Sequence, residues 1–251
     1  MADYDSEVLR GRSPAQAHAA DIDQGLRSYM LGVYNYMAGG LAITGVVAYL
    51  AYSMAVVQTS EGLMLSAFGN LIFNTPFKWV VMLAPLGMVF FLSFRVHKMS
   101  VGTAQFSFWT FAALMGLSLS SIFLVYTGGS IFQVFLITSA SFGALSLWGY
   151  TTKKDISGWG SFLFMGLIGI IIASIVNIFV GSSALQFAIS VIGVLVFAGL
   201  TAYDTQQIKE MYDVNDDGTV AGRKSIMGAL RLYLDFINLF IMLLQLFGNR
   251  E

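Results

Sequence analysis

The chain has 251 residues, of which 57% are hydrophobic and only 11% charged, with a net charge of -1. A soluble domain carries about 25% charged residues, so this composition excludes a water-exposed globule and calls for lipid around the chain. Near-neutral charge suggests no nucleic-acid partner. The absence of cysteine excludes disulfides, thiol catalysis and cysteine metal sites.

In chain order, residues 1–27 form a polar segment that mixes Asp3, Asp5, Glu7, Asp21 and Asp23 with Arg10, Arg12 and Arg27. It lacks the short basic start and apolar core of a cleavable signal, so the first helix is expected to stay in the membrane. Residues 28–251 form one membrane domain. Seven apolar runs follow, near 31–57, 77–94, 104–126, 131–150, 160–180, 184–205 and 226–247. Each is long enough to cross about 30 Å of hydrocarbon. Pro85 falls inside the second run, where a kink is expected. The third and fourth runs are joined by Thr127-Gly128-Gly129-Ser130, and the fifth and sixth by Gly181-Ser182-Ser183. Both are turn-forming stretches. Trp79, Trp148 and Trp159 sit at run ends, as an interfacial belt requires.

With seven spans, Arg10, Arg12, Arg27, Arg95, Lys98, Lys153, Lys154, Lys209, Arg223 and Lys224 fall on one side. Lys78 and Arg250 fall on the other. Ten basic residues against two place the N-terminus in the cytoplasm.

Ionisable groups well inside the runs are confined to the last two helices, at Asp204, Arg231 and Asp235. A charged side chain at the bilayer centre costs about 2.5–3.5 kcal/mol on insertion scales, so an intramembrane acid is a functional-site candidate by default. At 100° per residue, Arg231, Asp235, Asn238 and Gln245 fall within roughly 80° of one another. Such a stripe must face protein or water, which places the seventh helix centrally among the other six. Thr201 and Gln207 flank Asp204, and a sixth helix continuing through Gln207 lets the two carboxylates meet. Two carboxylates in one site cannot both ionise cheaply, so the pair can hold a single proton near neutrality. The simpler alternative is that Asp235 pairs with Arg231 one turn away while Asp204 solvates a helix end.

Asp213-Val214-Asn215-Asp216-Asp217-Gly218 matches the first half of a calcium loop, but its twelfth position is Lys224, so it reads as a solvated turn. His97 lies alone in a basic turn, short of the ligands a metal site needs. No resident metal or cofactor is expected. Tyr203-Asp204 with Asp235 has half the pattern of an intramembrane aspartyl protease. The G-x-G-D and P-A-L contexts are missing, so an enzyme is not expected. A retinal protein would need a lysine deep in the seventh span, and none is there.

The stretches Thr201-Ala202-Tyr203-Asp204-Thr205-Gln206-Gln207-Ile208-Lys209 and Leu232-Tyr233-Leu234-Asp235-Phe236-Ile237-Asn238-Leu239-Phe240, with seven short-looped spans, resemble the Bax inhibitor-1 (transmembrane Bax-inhibitor-motif) family in its bacterial branch. The resemblance runs from about residue 28 to the end. It implies an all-α integral membrane fold with seven helices around a central C-terminal one, in the bacterial inner membrane. It also implies a pH-sensitive leak whose transported ion is calcium, with Asp204 and Asp235 as a di-aspartyl sensor and gate. An arginine at the cytoplasmic end of the second helix latches that pair in the family, and Arg95 is its match. Arg231, Asn238 and Gln207 are the expected supporting polar residues. Some relatives carry an acidic residue in the second helix, where this chain has none. A different role within the same family is regulation of a stress or death response, or of a membrane protease, through a membrane-protein partner. The polar tail would then be the contact surface.

Overall fold

The computed structural model describes residues 14–60 and 62–250. Its helices are α1 (Pro14–Ala55), α2 (Ala67–Phe73), α3 (Phe77–Arg95), α4 (Val101–Leu119), α5 (Gly128–Thr151), α6 (Trp159–Val180), α7 (Ser183–Glu210) and α8 (Gly218–Phe247). Seven of them are long and apolar enough to span: Ile22–Ala55, Phe77–Lys98, Val101–Leu124, Gly128–Thr151, Trp159–Val180, Ser183–Glu210 and Gly218–Phe247. The chain is therefore a multi-pass integral membrane protein, and each expected run overlaps one of these helices. Half of the expected polar tail, residues 1–13, lies outside the described residues. The other half is the start of α1.

Hydroxyl caps set four of the eight helix starts. Ser66, Ser100, Thr127 and Ser182 each accept a backbone N–H of the helix they open. Asp217 does the same for α8, accepting from Thr219 and Val220. That cap starts α8 eight residues before the apolar run at 226 and makes it 30 residues long. At 1.5 Å per residue it extends about 45 Å, so it is long enough to cross the membrane completely. Gly181, at φ 65°, closes α6 in the left-handed conformation that a side chain would strain.

One segment had no expected structure. The first apolar run does not stay helical to residue 57: Val56 and Val57 turn into β1 (Val56–Thr59), paired antiparallel with β2 (Gly62–Leu65). β-branched side chains fit a strand better than the end of a helix. The hairpin and α2 fold back on α1, where the Ala55 carbonyl accepts the Ser66 amide at 2.9 Å.

Two thirds of α8's most apolar stretch is buried (67%), against at most 39% in any other span. Among the helices it packs chiefly on α1, α4, α5 and α7. The expected ring of six is thus a ring of four. α3 packs on α4 and α6 on α7, both at the periphery. The spans α3 and α6 are correspondingly the least buried, at 22% and 11%.

Polar joints tie the ring together, each linking three helices. The Tyr233 hydroxyl (α8) donates to Thr44 (α1) at 2.6 Å, and Thr44 donates to the Ala112 carbonyl (α4) at 2.8 Å. Tyr34 (α1) lies 2.7 Å from Ser146 (α5), which lies 2.9 Å from Thr205 (α7). Thr205 donates to the Thr201 carbonyl at 2.7 Å, so the protons run in one direction along the chain of hydroxyls. At the other end of the bundle, Gln245 (α8) accepts from Gln186 at 2.7 Å and Ser190 at 2.8 Å (both α7). Asn177 (α6) donates to Gln186 at 3.1 Å. Inside a bilayer such bonds have no water competing for the partners.

Close helix contact is set by glycine. A Cβ at Gly149 would lie 2.4 Å from the Ala202 carbonyl oxygen, whereas one at Gly87 would meet nothing within 4 Å. Gly149→Ala is expected to lose about 1–3 kcal/mol through overpacking. Its melting temperature in detergent should fall by a few degrees relative to Gly87→Ala. Equal melting of the two variants would show that α5 and α7 are not in this contact.

Candidate functional site

α7 continues through Gln207 to Glu210, which meets the condition for bringing the two aspartates together. Asp204 and Asp235 face each other across the α7–α8 contact with their carboxyls within hydrogen-bonding reach. Asp235 is 5% exposed, and its Oδ2 has no hydrogen-bond partner among the described residues. Asp204 is half-buried, toward the end of the bundle where α7 stops. Helix propensity has no part in this placement. Close packing of α7 on α8 does, at Gly228, where a Cβ would meet Ile208 at 3.0 Å.

Arg231 is the cation whose charge acts on both carboxylates, and on the phenol of Tyr29 in α1. Its side chain is exposed, and it makes no ion pair with either aspartate within 4 Å among the described residues. The alternative in which Arg231 simply neutralises Asp235 one turn away is therefore not the arrangement found. Tyr29 is buried, with its hydroxyl also unpartnered among the described residues. The carboxylate pair, the guanidinium and the phenol are thus close enough for their charges to act on one another where α1, α7 and α8 meet.

Other expected contributors lie elsewhere. Arg95 is exposed at the end of α3 and makes no ion pair with Asp204 or Asp235 among the described residues. The reason is the peripheral place of α3. The turn after it reaches α8, where Arg223 donates to the His97 carbonyl. Gln207 donates to Glu210 at 3.1 Å, not to either aspartate. Asn238 donates to its own helix at the Leu234 carbonyl, 2.8 Å away. Gln206, which sequence reasoning passed over, is the buried amide. It accepts from the Ile156 amide at 2.9 Å and donates to the Lys154 carbonyl at 2.8 Å, holding the α5–α6 connection on α7. Its neighbour Gln207 has the same chemistry, and only the helix phase separates a buried glutamine from a half-buried one.

The loop resembling half a calcium site is already occupied internally. Asp213 accepts from the amide and side chain of Asn215, Asp216 pairs with Lys224 at 2.5 Å, and Asp217 caps α8. The Asn215 bonds hold the Asp213 carboxyl below its ordinary range, and the side chain and amide of Ser157 do the same for Asp155. A carboxyl lowered in the folded state contributes stability that is present above its unfolded value and lost as pH falls through the folded one. Both groups stay ionised from about pH 5 to 8, so neither senses pH there.

Residues 26–251 match the family model described as "Inhibitor of apoptosis-promoting Bax1". The chain belongs to the Bax inhibitor-1 family. It is 48% identical over 230 residues to the inner membrane protein YbhL of Escherichia coli, covering 90% of this chain and 94% of that one. An uncharacterized protein of Rickettsia prowazekii is 49% identical over 229 residues, with 91% and 92% covered. One of Caulobacter vibrioides is 47% identical over 240 residues, with 95% of each covered. The Bax inhibitor-1 match spans the whole helical bundle, including both aspartate-bearing helices.

An Asp235→Asn change keeps the shape and gives Asp204 a donor in place of a like charge. Removing the buried, unpartnered oxygen is expected to stabilise the protein by about 1–3 kcal/mol. The melting temperature at about pH 8 should rise, and by more than for the half-buried Asp204→Asn. A fall in both variants would show that the native pair already has its partners.

Proposed function

We propose that this Bax inhibitor-1 family member is a proton-sensitive calcium leak, with Asp204 and Asp235 as sensor and gate. The observation that carries this reading is the buried, unpartnered carboxylate oxygen of Asp235, facing a second carboxylate across the α7–α8 contact. Two carboxylates in one site resist double ionisation. With one proton between them, the pair is hydrogen-bonded and clamps α7 to α8. Without it, the pair repels, or holds a cation. Proton loss therefore loosens the contact around the central helix, and a divalent cation is the ligand that two adjacent carboxylates attract.

Arg231 supplies the fixed counter-charge, because its charge reaches both carboxylates while Arg95 stands at the periphery. The aspartates here have no catalytic task, and calcium is cargo, not a cofactor. The basic excess on one side supports a cytoplasmic N-terminus. The inner-membrane relative from Escherichia coli supports the same membrane for this chain.

Calcium uptake into liposomes holding the purified protein, from about pH 5 to 8, tests the reading. Uptake is expected to rise as the pair loses its proton, and the Asp204→Asn/Asp235→Asn double variant should lose that pH dependence. Arg231→Gln should move the midpoint more than Arg95→Gln. No uptake above that of empty liposomes at any pH would end the leak reading.

A further inference from the structure

α1 and α5 both pack on α8 but not closely on each other, and this leaves a cleft that opens sideways into the bilayer. Two adjoining cavities, of about 520 and 720 Å³, run along it and share Ala38 and Leu41. Phe236, Ile237 and Phe240 of α8 form the floor of the deeper one. Leu31 and Leu147, which line the shallower one, are 52% and 62% exposed, so its rim is in contact with hydrocarbon. Space remains because the walls carry glycine: a Cβ at Gly45 or Gly143 would meet nothing within 4 Å.

We propose that this cleft is a binding site for one anionic glycerophospholipid, with an acyl chain along the cleft and its phosphate at Arg27. Three observations select this occupant. The Tyr34–Ser146 hydrogen bond, at 2.7 Å, ties α1 to α5 at the cleft. The helices cannot part there to admit a helix about 10–12 Å across, whereas a single acyl chain needs no separation. Arg27 lines the mouth and makes no ion pair among the described residues. Lys209 adds a second cation: it donates to the Tyr150 carbonyl at 2.9 Å and lies 5.4 Å from the centre of the Tyr150 ring, which lines the same mouth. Finally, Arg27 and Leu41 are fourteen residues apart on α1, about 21 Å at 1.5 Å per residue. A headgroup at Arg27 thus places its chain at hydrocarbon depth, since one leaflet's core is about 15 Å thick.

The site does not depend on the leak reading, but it lies next to the aspartates. Ser146 lies between the Tyr34 and Thr205 hydroxyls, and Thr205 follows Asp204 in α7. Lipid in the cleft therefore lies against Tyr34 and Ser146, two members of that hydroxyl chain.

The test is native mass spectrometry of the full chain in mild detergent, titrated separately with phosphatidylglycerol and phosphatidylcholine. The parent should retain one phosphatidylglycerol in preference to phosphatidylcholine. Arg27→Gln should weaken that retention about fivefold, the worth of one basic residue at an anionic surface. Gly143→Leu should abolish retention of both lipids with little change in melting temperature, and Gly45→Leu gives the same readout from the facing helix. Equal retention of the two lipids would overturn the proposal, as would parental binding in either leucine variant. A dimer mass that disappears in Gly143→Leu would assign the cleft to a second copy of the chain and overturn it as well.

Discussion

Asp235 is a carboxylate in the middle of a membrane-spanning helix with one oxygen that finds no hydrogen-bond partner among the described residues. Lipid cannot solvate that group, so the helix carrying it must be enclosed by protein, and the rest of the bundle follows from the enclosure. α1, α4, α5 and α7 close around α8, and α3 and α6 are left to pack outside them. The same constraint explains why hydroxyls and amides, not ion pairs, join the helices. Tyr233–Thr44, Tyr34–Ser146–Thr205 and Gln245–Gln186–Asn177 each satisfy buried polar atoms without bringing a second charge into the interior.

The three joints also divide the bundle by depth. The Gln245 joint and the pairing of Tyr126 with Arg250 secure one end of α8, where Asn249 donates to Ser130 at 2.9 Å. The Tyr233 hydroxyl bond to Thr44 holds its middle, with Phe108 and Phe111 set edge-on to the ring at 6.1 and 5.1 Å. Two residues beyond Tyr233, the contact between α8 and α7 includes two carboxylates, Asp235 and Asp204, which attract each other only through a shared proton.

The α1–α5 cleft lies between two ring helices that do not pack closely on each other, beside the hydroxyl chain that leads to Thr205. Its glycines have no close neighbours to explain them, unlike Gly149 or Gly116, whose missing side chains admit another helix's backbone. The first kind leaves room for a ligand, and the second makes a helix contact.

Much of this was legible in the chain itself. Composition required a membrane protein, run lengths required seven spans, and the two aspartate motifs marked the family and named the candidate pair. These are local properties: hydropathy, helical period and residue type do not depend on what packs where. Other features could not be read this way. Val56 and Val57 are as apolar as the helix before them, and only pairing with Leu65 and Met64 turns them into a strand. Arg95 and Arg231 are equal as charges in the sequence. The choice between them depends on α3 packing outside and α8 inside, a relation between helices distant in sequence. Gln206 and Gln207 differ by one step of helix phase, which decides which one faces the α5–α6 connection. The sequence by itself determined the number of helices and the residues capable of the chemistry. Tertiary structure decided which of them meet, because helix packing depends on the shapes of facing surfaces, and no single segment carries both.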